Sequence, residues 1–140
     1  MSLTIAETRD IATCRLLRRV VFIDEQGVSE ADERDDLDDI AIHLLAIEND
    51  QALGSARLIV QGETGKIGRV CVLQAARGRG IGAALIHAAV ARLQKTPGVA
   101  KAKLGAQTHA IAFYQALGFT PVGEVYLDAG IDHQDMIRSL

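Results

Sequence analysis

The run Arg77-Gly-Arg-Gly-Ile-Gly82 lies between two segments of different periodicity, and that junction limits the folds open to the chain. Ahead of it, Ile67-Gly-Arg-Val-Cys-Val-Leu73 reads as a strand. Behind it, from Ala83 to about Gln94, residues Leu85, Ile86, Ala89, Val90 and Leu93 share one face at helical spacing. Glycines at alternating positions let backbone N–H groups converge with no side chain in the way. The start of a helix adds unpaired N–H groups and the positive end of the helix dipole. Gly78, Gly80, Ile81, Gly82 and Ala83 therefore form a candidate phosphate or pyrophosphate cradle, with Arg77 and Arg79 as fixed charge beside it. A P-loop would continue with Lys and then Ser or Thr, whereas Ala83-Ala84 follows here. A dinucleotide-binding unit would place an acid about 20 residues on, for the ribose. No Asp or Glu occurs between Thr64 and Gly123.

That acid-free stretch carries eight of the 15 Lys and Arg residues, so a net charge of −3 conceals a basic block suited to a polyanion. The acids crowd elsewhere. Nine of them fall between Asp24 and Asp39, opposed there only by Arg34. Such a run suits a cationic partner such as an amine, or it pairs with basic residues inside the fold. Nucleic acid is disfavoured, since the net charge is negative, the lysines are scattered and Trp is absent. No apolar run reaches membrane-spanning length, and Met1 to Glu7 lack the charged start and apolar stretch of a leader. Cys14 and Cys71 have no metal-ligand spacing and read as reduced thiols, so a cytoplasmic protein without a metal is expected.

At 140 residues, 49% of them hydrophobic, the chain is expected to form one domain over 1–140. In order, it reads as a strand at Leu3–Ala6 and a helix from an Asp10 cap to Gln26-Gly27. An irregular acidic segment runs to about Asp39. Strands follow at Ile40–Ile47, Leu53–Val60 and Ile67–Leu73, joined by short turns that make them an antiparallel meander. After the glycine-run helix come a strand at Val99–Ala106 and a helix at Ala110–Leu117. A strand from Phe119 to about Leu127, a loop, and a last strand at His133–Ser139 complete the chain, and this last strand is a candidate for a homodimer contact. A helical crossover makes the Leu73 and Val99 strands parallel. The class is α/β or α+β, a mixed sheet with helices packed on it.

Two motifs, correctly ordered, carry a family resemblance. Arg77-x-x-Gly80-x-Gly82 after a strand resembles the pyrophosphate loop of the GNAT acyltransferases. Phe113-Tyr-Gln-Ala-Leu-Gly-Phe119 is similar to the signature that closes their domains, with Tyr114 and Gly118-Phe119 matching it. The N-terminal half also resembles a small bacterial-type subgroup of that superfamily. The matching pieces are Leu17-Arg-x-x-Val21-Phe22-x-x-Glu25-Gln26-Gly27-Val28, Glu33-x-Asp35-x-x-Asp38, His43, Gly54-x-x-Arg57-Leu58 and Gly130-Ile131-x-His133-x-x-Met136. The resemblance implies a mostly antiparallel sheet of about six or seven strands with helices on both faces. It also implies transfer of an acetyl group from acetyl-CoA to the primary amine of a small molecule or peptide. The first two of these N-terminal pieces, Arg18-x-x-Val21-Phe22 and Glu33-x-Asp35-x-x-Asp38, also resemble acyl-homoserine-lactone synthases. That leaves longer-chain acyl transfer, or a CoA-binding module without catalysis, as alternatives.

The resemblance implies further that the strand Arg69–Leu73 splays from the strand ending near Gly105. Backbone groups of Val70, Cys71 and Val72 would then pair with the pantetheine arm. Gln107 stands where many family members carry Asn against that arm. Tyr114 is the candidate general acid for the leaving thiolate, because a phenol is protonated at neutral pH. A primary amine, with a pKa of about 10.4, arrives charged and needs a base. Glu25, at the end of the first helix, leads; His133 and His109 are alternatives. His43 reads as structural. A covalent role for Cys71 is disfavoured, since no neighbouring residue activates the thiol.

Overall fold

Period-two strands and two amphipathic helical segments assemble into one seven-stranded sheet, in a computed structural model that describes residues 3–140. Met1 and Ser2, part of the segment read as lacking a leader, lie outside the described residues. The strands are β1 (Thr4–Thr8), β2 (Ile42–Glu48), β3 (Gln51–Gln61), β4 (Thr64–Val72), β5 (Lys101–Gln107), β6 (Thr120–Asp128) and β7 (Ile131–Ser139). The helices are α1 (Ile11–Arg18), α2 (Glu30–Glu33), α3 (Ile81–Gln94) and α4 (Ile111–Ala116). The sheet order is β1-β2-β3-β4-β5-β7-β6. All neighbours are antiparallel except β4 and β5, which the α3 crossover makes parallel.

Turn chemistry sets the hairpins. Asn49 and Asp50 both take positive φ (53° and 60°), as do Ala129 and Gly130 (52° and 77°), the pairing that a two-residue hairpin requires. The expected loop at Asp128–Asp132 is therefore a tight turn, and β7 starts two residues earlier than read from sequence.

The sheet is covered unequally. On one face α3 buries Leu85, Ile86, Ala89, Val90 and Leu93 against Leu44, Leu58, Ile67 and Leu104, and α4 extends that layer through Ile111, Tyr114 and Leu117. On the other face α1 and the turn after it bury Cys14, Leu17 and Val21 against Leu45 and Cys71. At 15 kDa this interior suffices for an ordinary core.

Three expectations are corrected. The first helix is not regular to Gln26: after Arg18 it widens into a π-helical turn over Arg19–Glu25, with the Gln26 N–H donating to the Val21 carbonyl. Such turns often accompany functional sites, and Phe22 and Gln26 face the cavity described below. The acidic segment is not irregular throughout, since Ser29 caps α2 by accepting from the Asp32 N–H. Finally, β7 is not an edge. It lies between β5 and β6, paired on both sides, so its backbone is already engaged and β6 forms the border. The last strand offers no free edge for a dimer.

Candidate active site

The site begins with a failure of pairing. β4 and β5 are matched over three rungs only, Thr64 with Lys101, Gly65 with Ala102 and Lys66 with Lys103. Beyond these, β4 continues to Val72 and β5 to Gln107 without pairing to each other. The cause is a bulge. Between the Ser55–Cys71 and Arg57–Gly68 pairs, β3 advances two residues while β4 advances three. Arg69 takes φ 51° there, a left-handed conformation uncommon outside glycine. An extra residue bends and twists its strand, which turns β4 away from its neighbour.

Strand alternation decides which backbone groups face the opening. The Leu73 N–H donates to the Leu53 carbonyl of β3 at 2.8 Å, so the Val72 N–H points to the opposite edge. By the same alternation Cys71 faces β3 and Val70 faces the opening. Of the three residues expected to present backbone groups, Val70 and Val72 do so and Cys71 does not. The Cys71 thiol is buried, 3.4 Å from the Ser55 hydroxyl, and burial pushes its pKa up. This disfavours a thiolate nucleophile, as the sequence reading held.

At the far end of β4 the glycine run enters α3. Gly78 and Gly80 hold φ of 80° and 79°, and a Cβ at either would meet no atom within 4 Å. The loop is therefore open to a ligand, and its glycines serve the backbone path rather than packing. Gly80 caps α3 without a side-chain hydrogen bond, and the first intrahelical bond runs from the Ala84 N–H to the Gly80 carbonyl. The N–H groups of Ile81, Gly82 and Ala83 precede that bond and have no intrahelical acceptor. No acid stands in the first turn. These features fit a diphosphate.

Both loop arginines are already engaged. Arg77 grips Glu25 with two bonds of 2.5 and 2.6 Å and donates from Nε to the Val72 carbonyl at 3.0 Å. Arg79 reaches Glu48 at 2.5 Å. The bond from Arg77 holds the Glu25 carboxyl below its ordinary pKa. Glu25 is thus a partner of the glycine loop. It does not line the cavity, contrary to the position expected of a base.

The opening leads into a cavity of about 770 Å³ that Tyr114, His133, Gln107, His109, Val70 and Arg69 all line. Tyr114 packs edge-on against Phe113 and Phe119, with centroids 5.0 and 6.2 Å away, and burial raises its pKa. His133, on β7, bonds through Nδ1 to the Ile131 carbonyl at 2.7 Å. A carbonyl can only accept, so Nδ1 carries a proton, and the lone pair of the neutral ring lies on Nε2. Its ring stacks on Tyr126 at 6.0 Å. Gln107 is tied to Gln26 at 3.1 Å and to His109 at 2.7 Å, bridging the first helical segment to the end of β5.

The acidic segment forms one wall, and of its two readings, pairing with basic residues inside the fold holds for Glu33, Asp35 and Asp38. Arg18 holds Asp38 with two bonds of 2.9 and 2.7 Å. Arg57 holds Asp35 with two bonds of 2.8 Å and reaches Asp38 at 3.1 Å. Arg69 donates to the Glu33 carbonyl and to Asp35. Arg18, Asp38 and Arg57 are only 3%, 3% and 6% exposed. Glu33, Asp35 and Asp38 are therefore committed inside the fold, whereas Asp32 lines the cavity outside this network. Burial alone would raise the Asp38 carboxyl, but hydrogen bonds from Arg18, Arg15 and Arg57 hold it well below the usual range. His43 joins as a structural residue, its Nε2 2.9 Å from the Asp38 carbonyl. The sequence reading allowed such pairing without identifying its members. A lone Arg57 within the apolar run Leu53–Val60 was the available sign, since a buried charge needs a partner.

A parallel pair that splits open, with a glycine-lined helix start at its mouth and a phenol at its wall, defines an acyltransferase of the GNAT type. The family model of the acetyltransferase (GNAT) domain matches residues 20–140, and the chain belongs to that family as an N-acetyltransferase. Among relatives, protein ElaA of Escherichia coli is 37% identical over 128 residues, covering 89% of this chain and 84% of its own. The crystal structure of an acyl-CoA N-acyltransferase from Pseudomonas aeruginosa superposes with a TM-score of 0.86 at 32% identity, covering 99% of both chains. A GNAT-family acetyltransferase from Elizabethkingia anophelis, solved with acetyl-CoA bound, shares the fold at a TM-score of 0.74 and 20% identity, covering 99% of this chain and 98% of its own. No helix of the described residues is long and apolar enough to cross a membrane.

Proposed function

We propose that the protein is a cytoplasmic single-domain enzyme that moves an acetyl group from acetyl-CoA to a primary amine by direct attack. One observation supports this reading: β4 and β5 part beyond the Lys66–Lys103 rung, the glycine loop follows β4, and the cavity beside the parted strands is lined by both a phenol and an imidazole. The N–H groups of Gly80 to Ala83 would hold the diphosphate, and Arg77 would turn to it from Glu25. The open-edge backbone of Val70 and Val72 would pair with the pantetheine amides, and Gln107 would lie along the same arm.

His133 takes over as the leading base, with Nε2 removing a proton from the acceptor ammonium. Glu25 is disfavoured in that role, because a carboxylate clamped by an arginine is a weak base. The neutral amine forms a bond to the thioester carbon, and a backbone N–H at the β4 edge steadies the oxyanion, an effect worth roughly 3 kcal/mol per donor. The C–S bond then breaks with its electron pair on sulfur. Tyr114, whose raised pKa keeps it protonated, gives its proton to that sulfur, the surplus proton on the new amide nitrogen returns to the Tyr114 oxygen, and the proton held by His133 passes to solvent.

A thiol-release assay with acetyl-CoA against a broad panel of primary amines tests the reading. Tyr114→Phe is expected to lower kcat about 100-fold or more with acetyl-CoA affinity unchanged. Equal turnover in the variant would remove the acid. Acetyl-CoA binding without thiol release from any amine would leave a binding module.

A further inference from the structure

We infer that the acceptor is a small amine bearing an anionic tail, and that Lys66, Lys101 and Lys103 form the subsite for that tail. This rests on the acetyl-transfer reading above and names its acceptor class. The three lysines occupy the last paired rungs of β4 and β5, immediately before the strands part. Lys66 and Lys103 stand directly opposite in register, and Lys101 is one same-face position along. Alternation puts Lys101 and Lys103 on the face of Gly105 and Gln107, while Ala102, Leu104 and Ala106 are buried on the other face. The lysines therefore share a face with the residues that line the opening.

Like charges directly opposite on neighbouring strands destabilise a sheet. Here three are set together with little relief. Lys103 lies 3.4 Å from Asp135, whose other oxygen accepts from the Tyr126 hydroxyl, and among the described residues neither Lys66 nor Lys101 forms an ion pair. Val122 and Ile137 lie beside them. A second cavity of about 400 Å³, lined by the three lysines with Gln61, Thr64, Val122 and Ile137, shares Lys66 and Lys103 with the main one. A basic patch in which Lys66 and Lys101 lack a carboxylate partner thus adjoins the cavity, with two aliphatic side chains beside it. A carboxylate or phosphate on a short carbon chain satisfies both parts.

The spacing sets the length. The Lys66–Lys103 rung precedes Gly105 by two residues, about 7 Å at the strand rise, and Gln107 by about twice that. His133 stands opposite Gln107, so the longer distance is the one to bridge; the lysine side chains themselves reach across part of it, and a spacer of about six carbons covers the rest.

The test compares hexylamine, 6-aminohexanoate and 6-aminohexyl phosphate, which differ only in the tail. Their binding to the CoA-loaded protein is measured by calorimetry, with thiol release from acetyl-CoA followed in parallel. At least one anionic amine is expected to bind about tenfold or more tightly than hexylamine. Lys66→Gln and Lys101→Gln are each expected to remove most of that advantage while leaving hexylamine unchanged. The better of the two anionic arms assigns carboxylate or phosphate. Equal binding of all three amines, or an advantage that survives both lysine variants, overturns the inference. The two readings fail separately. Lysine-dependent binding without thiol release keeps the subsite and removes the catalysis. Thiol release that is equal with hexylamine keeps the catalysis and removes the subsite.

Discussion

The two sides of the opening are built in opposite ways. The side proposed for the acetyl donor is a backbone device: glycines at 78 and 80 in left-handed conformations, and N–H groups at the start of α3, all within seven consecutive residues. The side proposed for the acceptor is a side-chain device. Its wall is a buried arginine and carboxylate lattice drawn from α1, the acidic segment, β3 and the β4 bulge, with partners 19 to 36 residues apart. A backbone device is nearly independent of the rest of the fold. A lattice of buried charges exists only when every contributing element is in place, and removing one partner leaves the others uncompensated.

The contrast is broken most forcefully at Asp38. Asp38→Asn is expected to lower unfolding free energy by about 3–5 kcal/mol, because Arg18 and Arg57 stay buried without their shared carboxylate. Urea denaturation measures it, and a loss well under 1 kcal/mol would show that the lattice contributes little. The same carboxylates set the acid limit. Asp35 and Asp38 have folded-state pKa values below their unfolded ones. Their stabilisation is complete above the unfolded value of about 4 and is lost as pH falls through the folded values. The urea midpoint of the native protein should therefore fall steeply below about pH 4, and that of Asp38→Asn less steeply. Parallel curves would place the acid sensitivity elsewhere.

The donor side is sharpened by a pair of glycine substitutions. Gly80→Ala and Gly62→Ala both place a methyl at positive φ in open space, and each should cost about 1–2 kcal/mol of stability. Gly80→Ala alone should also weaken acetyl-CoA binding in calorimetry, by about tenfold. Equal affinities would separate the loop from the ligand. The smallest effect is expected at Glu25. Glu25→Gln frees Arg77 from an exposed pair and should tighten acetyl-CoA binding by a factor of about two to five, more at low salt than at high. A large loss of turnover instead would return Glu25 to the chemistry.

The same contrast explains what could be read in advance. The glycine loop, α3 and the parallel crossover were legible because each is signalled within a short window: glycine spacing, a 3.6-residue period, a strand on either side. The split between β4 and β5 was reached through the family resemblance. Its cause was not legible, since Arg69 has no intrinsic preference for the positive φ it adopts, and a bulge is defined by the partner strand. The lattice was half legible. The acidic run was plain, but which acids meet Arg18, Arg57 and Arg69 depends on packing across the fold. Glu25 and Arg77, 52 positions apart, met for the same reason. The Lys66–Lys103 rung was hidden in two strands read separately, because a parallel register has no local code.

The place of β7 has a consequence for how the molecule comes into being. It is synthesised after β5 and β6, yet it fills the slot between them. A nascent chain extending only as far as Asp128 holds β6 with no neighbour to receive it, and Gln107 and Tyr126 with no His133 between them. The basic groove and the imidazole wall are thus completed together, in a single late insertion on the ribosome's timetable. The glycine loop has no such dependence and can form while that strand is still unmade.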